Sequence, residues 1–213
     1  AQLTHPGREM TMAADGSHAV AYAPSTIPNE RFHVMPRAMS ISLIEEVIEG
    51  FETSARNLQN AGIDGVEIVA SHGYLLVQFL NPKNNHRKDK YGGSFNNRLR
   101  LLKETLKAVR RGAGSDLVVG IRLSGEEKEH EGLSIGDVLP IVQALGEETE
   151  LDYTSVTSGT SAGLSGSTHI VPPMRFRTGY QALIDAAIRA SVQKLIFVAD
   201  RINQAQTAEE ILS

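Results

Sequence analysis

Apolar positions along the chain switch between two periods. Over about Ser42 to Asn60, the residues Ile44, Val47, Ile48, Phe51, Ala55 and Leu58 recur at helical spacing and form one face. Ser42 with Glu45 three residues on has the form of a capping box, and Gly62 suits the left-handed residue that ends a helix. The next run, Gly65 to Ser71, is short, apolar and rich in β-branched residues, the pattern of a buried parallel strand. A loop from Asn81 to Gly93 leads to a second helix that starts near Ser94. Phe95, Leu99, Leu102, Leu106 and Val109 make its apolar face, and Gly112 and Gly114 close it. The alternation then repeats. Strands are predicted at Leu117 to Leu123, Asp152 to Thr157 and Leu195 to Ala199, and helices at about Ile135 to Leu145, Gly179 to Ser191 and Ala205 to Leu212.

The chain opens on a strand end near residue 1, followed by an irregular stretch from Pro6 to Met39 that has room for a short hairpin. Five strands alternating with helices imply βαβ units and a parallel sheet. A closed (β/α)8 barrel needs eight strands and about 250 residues, so the pattern fits either part of such a barrel or an open five-stranded sheet. No Gly-x-Gly-x-x-Gly follows a strand, which leaves a dinucleotide-binding Rossmann unit unsupported, and no Walker phosphate loop is present. Both ends read as cuts, and no linker or repeat divides the chain; a single partial barrel domain, truncated at both ends, is expected.

Composition narrows the setting. Of 213 residues, 41% are hydrophobic and 22% charged, with a net charge of -4, which gives no reason to expect nucleic acid or an anionic membrane as partner. No apolar run approaches the roughly 20 residues that cross a bilayer. Cysteine is absent, which excludes disulfides and thiolate or iron–sulfur ligation within these residues and fits a reducing, cytoplasmic setting.

In parallel α/β proteins ligands bind at the carboxyl ends of the strands. The polar residues expected there are Gln2, His5 and Arg8, then Ser71, His72 and Tyr74, then Arg122 and Ser124. Thr157 to Thr160 follow, with His169 in their loop, and then Asp200, Arg201 and Asn203. The set lacks paired catalytic carboxylates, a His-x-x-x-His metal spacing and a Gly-x-Ser-x-Gly elbow. It supplies cations, imidazoles, an amide and a phenol. That chemistry suits an anionic, hydrogen-bonding cofactor better than hydrolysis, with the phenol as a proton donor.

The stretch His72 to Pro82, continuing through Asn85-His86-Arg87-Lys88-Asp89-Lys90-Tyr91-Gly92-Gly93-Ser94 to Asn97-Arg98, strongly resembles the signature of the old yellow enzyme family. Gln2-Leu3-Thr4-His5-Pro6-Gly7-Arg8 resembles the family's third barrel strand, Ile121-Arg122-Leu123-Ser124 its fifth, and Arg201-Ile202-Asn203 the turn after its seventh. Within the family the chain is most similar to the trimethylamine dehydrogenase, 2,4-dienoyl-CoA reductase and N-methyl amino acid demethylase branch, through Val34 to Met39 and Ala70 to Tyr74.

The resemblance implies a (β/α)8 barrel, here about strands three to seven, that carries FMN and exchanges hydride with NAD(P)H and a small substrate. It implies that Gln2 bonds the polar edge of the flavin and that Arg122 lies at its N1–C2=O end. Tyr74 would be the proton donor, and His72 would hold a substrate oxygen, with His169 as a second polar group. Arg201 is open between the flavin phosphate and a helix cap. Many ene-reductases have a histidine where this chain has Val69, which favours an N-methylated amine over an α,β-unsaturated carbonyl as substrate. An iron–sulfur cluster or second domain would lie outside these residues, and a homo-oligomer is left open. Asn85, Arg87, Asp89, Tyr91, Asn97 and Arg98 read as a loop-bracing network, and Glu126 to Glu131 as a solvated loop. The rival reading is a non-catalytic barrel remnant or assembly segment without bound flavin, because an open array exposes two sheet edges.

Overall fold

The computed structural model describes residues 1–213 except 12, 13, 18, 30, 149, 200 and 213. Five strands form one sheet: β1 (Gln2–Leu3), β4 (Gly65–Ala70), β5 (Val118–Glu126), β6 (Tyr153–Ser158) and β7 (Leu195–Val198). All four pairings are parallel, and the spatial order follows the chain order without a reversal. A doubly wound open sheet reverses its strand order at a switch point. The unbroken sequence here is the strand order of a (β/α)8 barrel wall. The helices between the strands are α1 (Ile41–Asn60), α2 (Leu75–Leu80), α3 (Phe95–Ala113), α4 (Ile135–Gly146), α5 (Leu164–Ser167) and α6 (Ala182–Ser191), with α7 (Ala205–Leu212) after β7.

Strand side chains alternate between two faces. Val66, Ile68, Ala70, Val119, Ile121, Leu123 and Val156 belong to the core, packed with Phe51 and Ala55 of α1, Leu102 and Leu106 of α3, Ile141 and Leu145 of α4, and Ile188 of α6. The other face is polar at its centre and leaves Leu195 and Phe197 of β7 exposed.

Several boundaries differ from the sequence reading, each for a local reason. The N-cap of α1 is Ser40, whose Oγ accepts the Leu43 N–H at 3.1 Å. Ser42 lies inside the helix with its hydroxyl 2.9 Å from that of Ser40, so the Ser42–Glu45 capping box does not form. Gly62 does adopt the left-handed conformation, φ 74°. Among its described residues the irregular stretch contains no hairpin of paired strands. Its two short strands, β2 (Tyr22–Ala23) and β3 (Arg37–Ala38), run parallel, and its antiparallel contact among those residues is the bridge of Asn29 with Val34. The segment after β4, unassigned by periodicity, is helix α2, buried on every side and therefore without a polar stripe.

The 126–131 segment is a solvated loop only in its second half, where His130 and Glu131 are exposed. Glu126 ends β5, and Glu127 is 3% exposed because its carboxylate accepts the Leu133 N–H at 2.7 Å. The loop-bracing network is present as expected. Asn85 Nδ2 donates to the carbonyls of Phe79 and Tyr91, both at 2.8 Å, and Arg87 binds Asp89 and the carbonyls of Pro24 and Met39.

Helices α1 and α3 pack closely at Gly112, where any Cβ would lie inside the van der Waals radius of the Glu52 carbonyl oxygen. Both partners are helix backbone and cannot swing aside. Gly112→Ala should therefore lower stability by roughly 1–3 kcal/mol despite the better helix propensity of alanine, read as a reduced urea midpoint with an unchanged m-value.

Candidate active site

The register of the sheet stacks the inner-face residues in rows. One row is Gln2, Glu67, Gly120, Tyr153 and Leu195; the next, toward the carboxyl ends, is Val69, Arg122, Ser155 and Phe197. Gln2 Nε2 donates to Glu67 Oε1 at 2.6 Å and Tyr153 Oη to Glu67 Oε2 at 3.0 Å, so one carboxylate ties three strands together. Burial and the adjoining Glu67 push the Tyr153 hydroxyl up to about 12. Its ring lies over Gly120, where a Cβ would overlap it, and meets Phe197 edge-on at 4.8 Å between centroids. Above this row, Arg122 Nη1 donates to Ser155 Oγ at 3.2 Å. Gln2 and Arg122 thus share a face on successive rows, as a ligand spanning both would need.

The turn after β4 holds His72 and Tyr74. His72 adopts φ 59°, a left-handed conformation uncommon outside glycine and worth explaining. Strand β5 and the loop after β6 hold it there. Its N–H donates to Ser124 Oγ at 3.1 Å, and that hydroxyl donates to the Gly159 carbonyl at 2.8 Å. Its carbonyl accepts from both the N–H and the Oγ of Ser161, at 2.9 and 2.7 Å. Burial and then the cation of Arg122 push the imidazole down to about 4, against a hydrogen bond with the Gly159 backbone. At neutral pH the ring is therefore uncharged, and its Nδ1 is buried with no partner among the described residues. The Tyr74 ring stands perpendicular to it, 6.5 Å between centroids, at the N-terminus of α2.

Not every expected residue joins this group. His5 turns back on its own loop, its Nδ1 accepting the Gly7 N–H at 3.0 Å, and burial lowers its pKa. His169 lies with Phe176 and Tyr180, its Nδ1 3.2 Å from the Tyr180 hydroxyl, and burial followed by Lys128 lowers its pKa. Arg201 donates to the carbonyls of Phe176 and Met174 and so braces the loop before α6 rather than capping a helix. Asp200 lies outside the described residues.

Other site residues were missed by sequence reasoning. Glu67 sits in the middle of an otherwise apolar strand, a signal that period-2 alternation could have raised. Gln78 is fully buried and links the first loop to the β4–α2 turn, donating to the carbonyls of Gly73 and Pro6 and accepting the Arg8 N–H. Beside Gly73 opens a cleft of about 300 Å³ whose lining includes Arg8, Asn29, Glu127, Glu131 and Thr160. Burial raises Glu127, and it raises Glu9, on the same side, to about 7. Only the fold brings these distant loops together, so spacing gave no signal for them.

The profile of the NADH:flavin oxidoreductase / NADH oxidase family matches residues 1–213. The chain belongs to this family. A similar curated member is an NADPH dehydrogenase of Geobacillus sp. (strain WCH70), 36% identical over 99% of this chain and 57% of its own. Among solved structures, a 2-naphthoyl-CoA reductase complexed with 2-naphthoyl-CoA is 28% identical with a TM-score of 0.83, over 98% of this chain and 33% of its own. An old yellow enzyme homologue from Zymomonas mobilis is 25% identical with a TM-score of 0.76, over 100% of this chain and 59% of its own. The old yellow enzyme resemblance is thereby shown. The chain spans 31% to 58% of the curated relatives it matches.

The buried acids fix how stability depends on pH. Glu9 and Asp185, both raised to about 7 from 4.5 and 3.8, hold protons in the folded state that the unfolded state releases. His72, lowered to about 4 from 6.5, does the reverse. Between pH 4.5 and 6.5 the folded state thus binds one more proton from these three, and their combined contribution to stability should fall with rising pH by about 1.4 kcal/mol per unit. Asp185→Asn should flatten this slope in urea titrations. A slope of opposite sign would show that Glu9 and Asp185 are ionised in the native state.

Proposed function

We propose that the chain supplies part of the flavin site and the substrate-facing polar groups of an FMN-dependent NAD(P)H oxidoreductase. The observation that carries this reading is the convergence of a cation (Arg122), a neutral imidazole (His72) and a phenol (Tyr74) at the carboxyl ends of adjacent strands, a composition that hydrolytic or metal chemistry would not require. The residues present fit the pyrimidine end of a flavin. Among the described residues Arg122 has a single side-chain hydrogen bond, to Ser155, which leaves guanidinium donors for a carbonyl or developing anion. Gln2, on the row below, keeps its amide oxygen beside the bonded Nε2. His169 and Arg201, engaged within the loop before α6, do not form a phosphate cradle as they stand.

When bound, FMN supplies two-electron chemistry between a nicotinamide and a second substrate. The chain's own part is electrostatic and positional. Arg122 would stabilise negative charge at the pyrimidine edge, as a fixed cation on a strand does without reorganising. Neutral His72 can bond a substrate oxygen or nitrogen without adding charge, and Tyr74 can deliver or receive a proton beside it. Valine at position 69, on the Arg122 row, adds apolar surface and no donor, which favours an N-methylated amine or amino acid over an α,β-unsaturated carbonyl as substrate. The demethylase branch, a bacterial source and a cytoplasmic setting belong to the same proposal. Among the described residues no helix is long and apolar enough to cross a membrane.

The test is a titration of the purified chain with FMN, followed by flavin fluorescence and by the visible spectrum retained through desalting. Weak but saturable binding is expected, and Arg122→Ala should weaken it about tenfold, the worth of one charged hydrogen bond. Equal affinity in the two proteins would overturn the assignment of Arg122. No binding by either would favour the rival reading of a non-catalytic segment.

A further inference from the structure

We propose that Glu9 and Ser161 are positioning residues for His72, in which Ser161 clamps the His72 carbonyl and Glu9 decides which acceptor the Ser161 hydroxyl hydrogen serves. The proposal rests on the reading of His72 as a substrate-facing group and deepens it.

The geometry poses a counting problem. Ser161 Oγ lies 2.7 Å from the His72 carbonyl oxygen and 3.0 Å from Glu9 Oε2. A serine hydroxyl has one hydrogen. If Glu9 is ionised, both neighbours are acceptors and compete for that hydrogen. If Glu9 is protonated, its own hydrogen goes to Ser161 Oγ, and the serine hydrogen goes wholly to His72. The second arrangement satisfies every group, and a site this buried favours it. Glu9 is 6% exposed, and its other oxygen already accepts from Asn29 Nδ2 at 2.8 Å.

The charged surroundings do not overturn this preference. Arg8 approaches Glu9 Oε1 only to 4.0 Å and also faces Glu127 and Glu131; Arg31, whose Nη1 binds the Ser161 carbonyl, faces Glu9 as well. The β4–α2 turn brings uncharged Gly73 against the carboxyl group. Burial outweighs both cations and raises Glu9 to about 7, so the exchange between the two arrangements falls near neutral pH.

The consequence is local and specific. His72 is held in a left-handed conformation that a non-glycine residue keeps only when its surroundings over-determine it. The Ser161 hydroxyl is one of its restraints. As Glu9 loses its proton, that restraint is shared, and the His72 peptide loosens on the side nearest Tyr74.

The experiment is an NMR pH titration of the isotope-labelled chain, without flavin or substrate, following the His72 carbonyl carbon and the Ser161 amide from about pH 5.5 to 8.5. Both signals should move together with a midpoint near 7, well above the imidazole's own titration near 4. Glu9→Gln, whose amide donates permanently to Ser161, should abolish the transition and hold both signals at their low-pH positions. Ser161→Ala should uncouple His72 while Glu9 still titrates, and Ser161→Thr should restore the coupling. Flat His72 signals in the unaltered chain, or the same midpoint in Glu9→Gln or Ser161→Ala, would overturn the proposal. Because no cofactor is present, this outcome is independent of the FMN titration, which tests the role of Arg122.

Discussion

The register of the parallel sheet is the constraint on which the rest of the molecule depends. Because side chains alternate strictly along a strand, a slip of one residue in any pairing would exchange its two faces. It would carry Arg122 into the core and Ile121 to the polar face. The pairings of Val69 with Arg122 and of Arg122 with Ser155 set the height of the cation. The pairing of Gln2 with Glu67 sets the polar row beneath it. Apolar burial enforces both, since Val66, Ile68, Val119 and Ile121 reach the helices only in this register. At roughly 1.5–3 kcal/mol for each buried aliphatic side chain, a slip is far more costly than any single polar contact could repay.

The loops above the sheet obey a second constraint. Segments that pass under other loops cannot leave their N–H and C=O groups without partners. Here side chains supply those partners. Glu127 receives the Leu133 N–H, Asn81 donates to the Glu131 carbonyl, and Gln78 serves the carbonyls of Gly73 and Pro6. The His72 turn is the meeting point of this scaffold, with restraints from β5 and from the loop after β6. An imidazole on a flexible loop would sample many orientations, whereas this one is fixed through its backbone. That is how loop residues acquire the precision of residues on strands.

How much of this was legible in the sequence follows from the same two constraints. Periodicity located the five sheet strands and the longer helices, because apolar faces that meet a core must repeat at the element's own period. It was silent on α2, whose six residues are all buried and have no face to alternate. It placed the cap of α1 at Ser42 because a glutamate follows at the capping-box spacing, while the structure uses Ser40 and a backbone donor. Arg122, His72 and Tyr74 were found through their strand-end positions and the resemblance of the motifs around them. Glu9, Glu127 and Ser161 were not, since their partners lie in other loops and no local spacing encodes a contact between residues 9 and 161. His169 and Arg201 were strand-end residues too, and the loop before α6 engages them in its own bonds.

The buried acids show why this scaffold tolerates groups that weaken it. A carboxylate sunk among loops loses its hydration, and here the penalty shows as a raised pKa at Glu9 and Glu127. Apolar replacements would avoid that penalty, but they would strand the Leu133 N–H and the Asn29 amide without acceptors in a dry interior, each a loss of about 1–3 kcal/mol. A carboxyl group offers two oxygens as acceptors, and in its protonated form it also donates. A loop that must bind two others from one position therefore gains from glutamate at 9 what leucine could not give. The result is a polar scaffold around His72 whose hydrogen-bond count closes most completely when Glu9 keeps its proton.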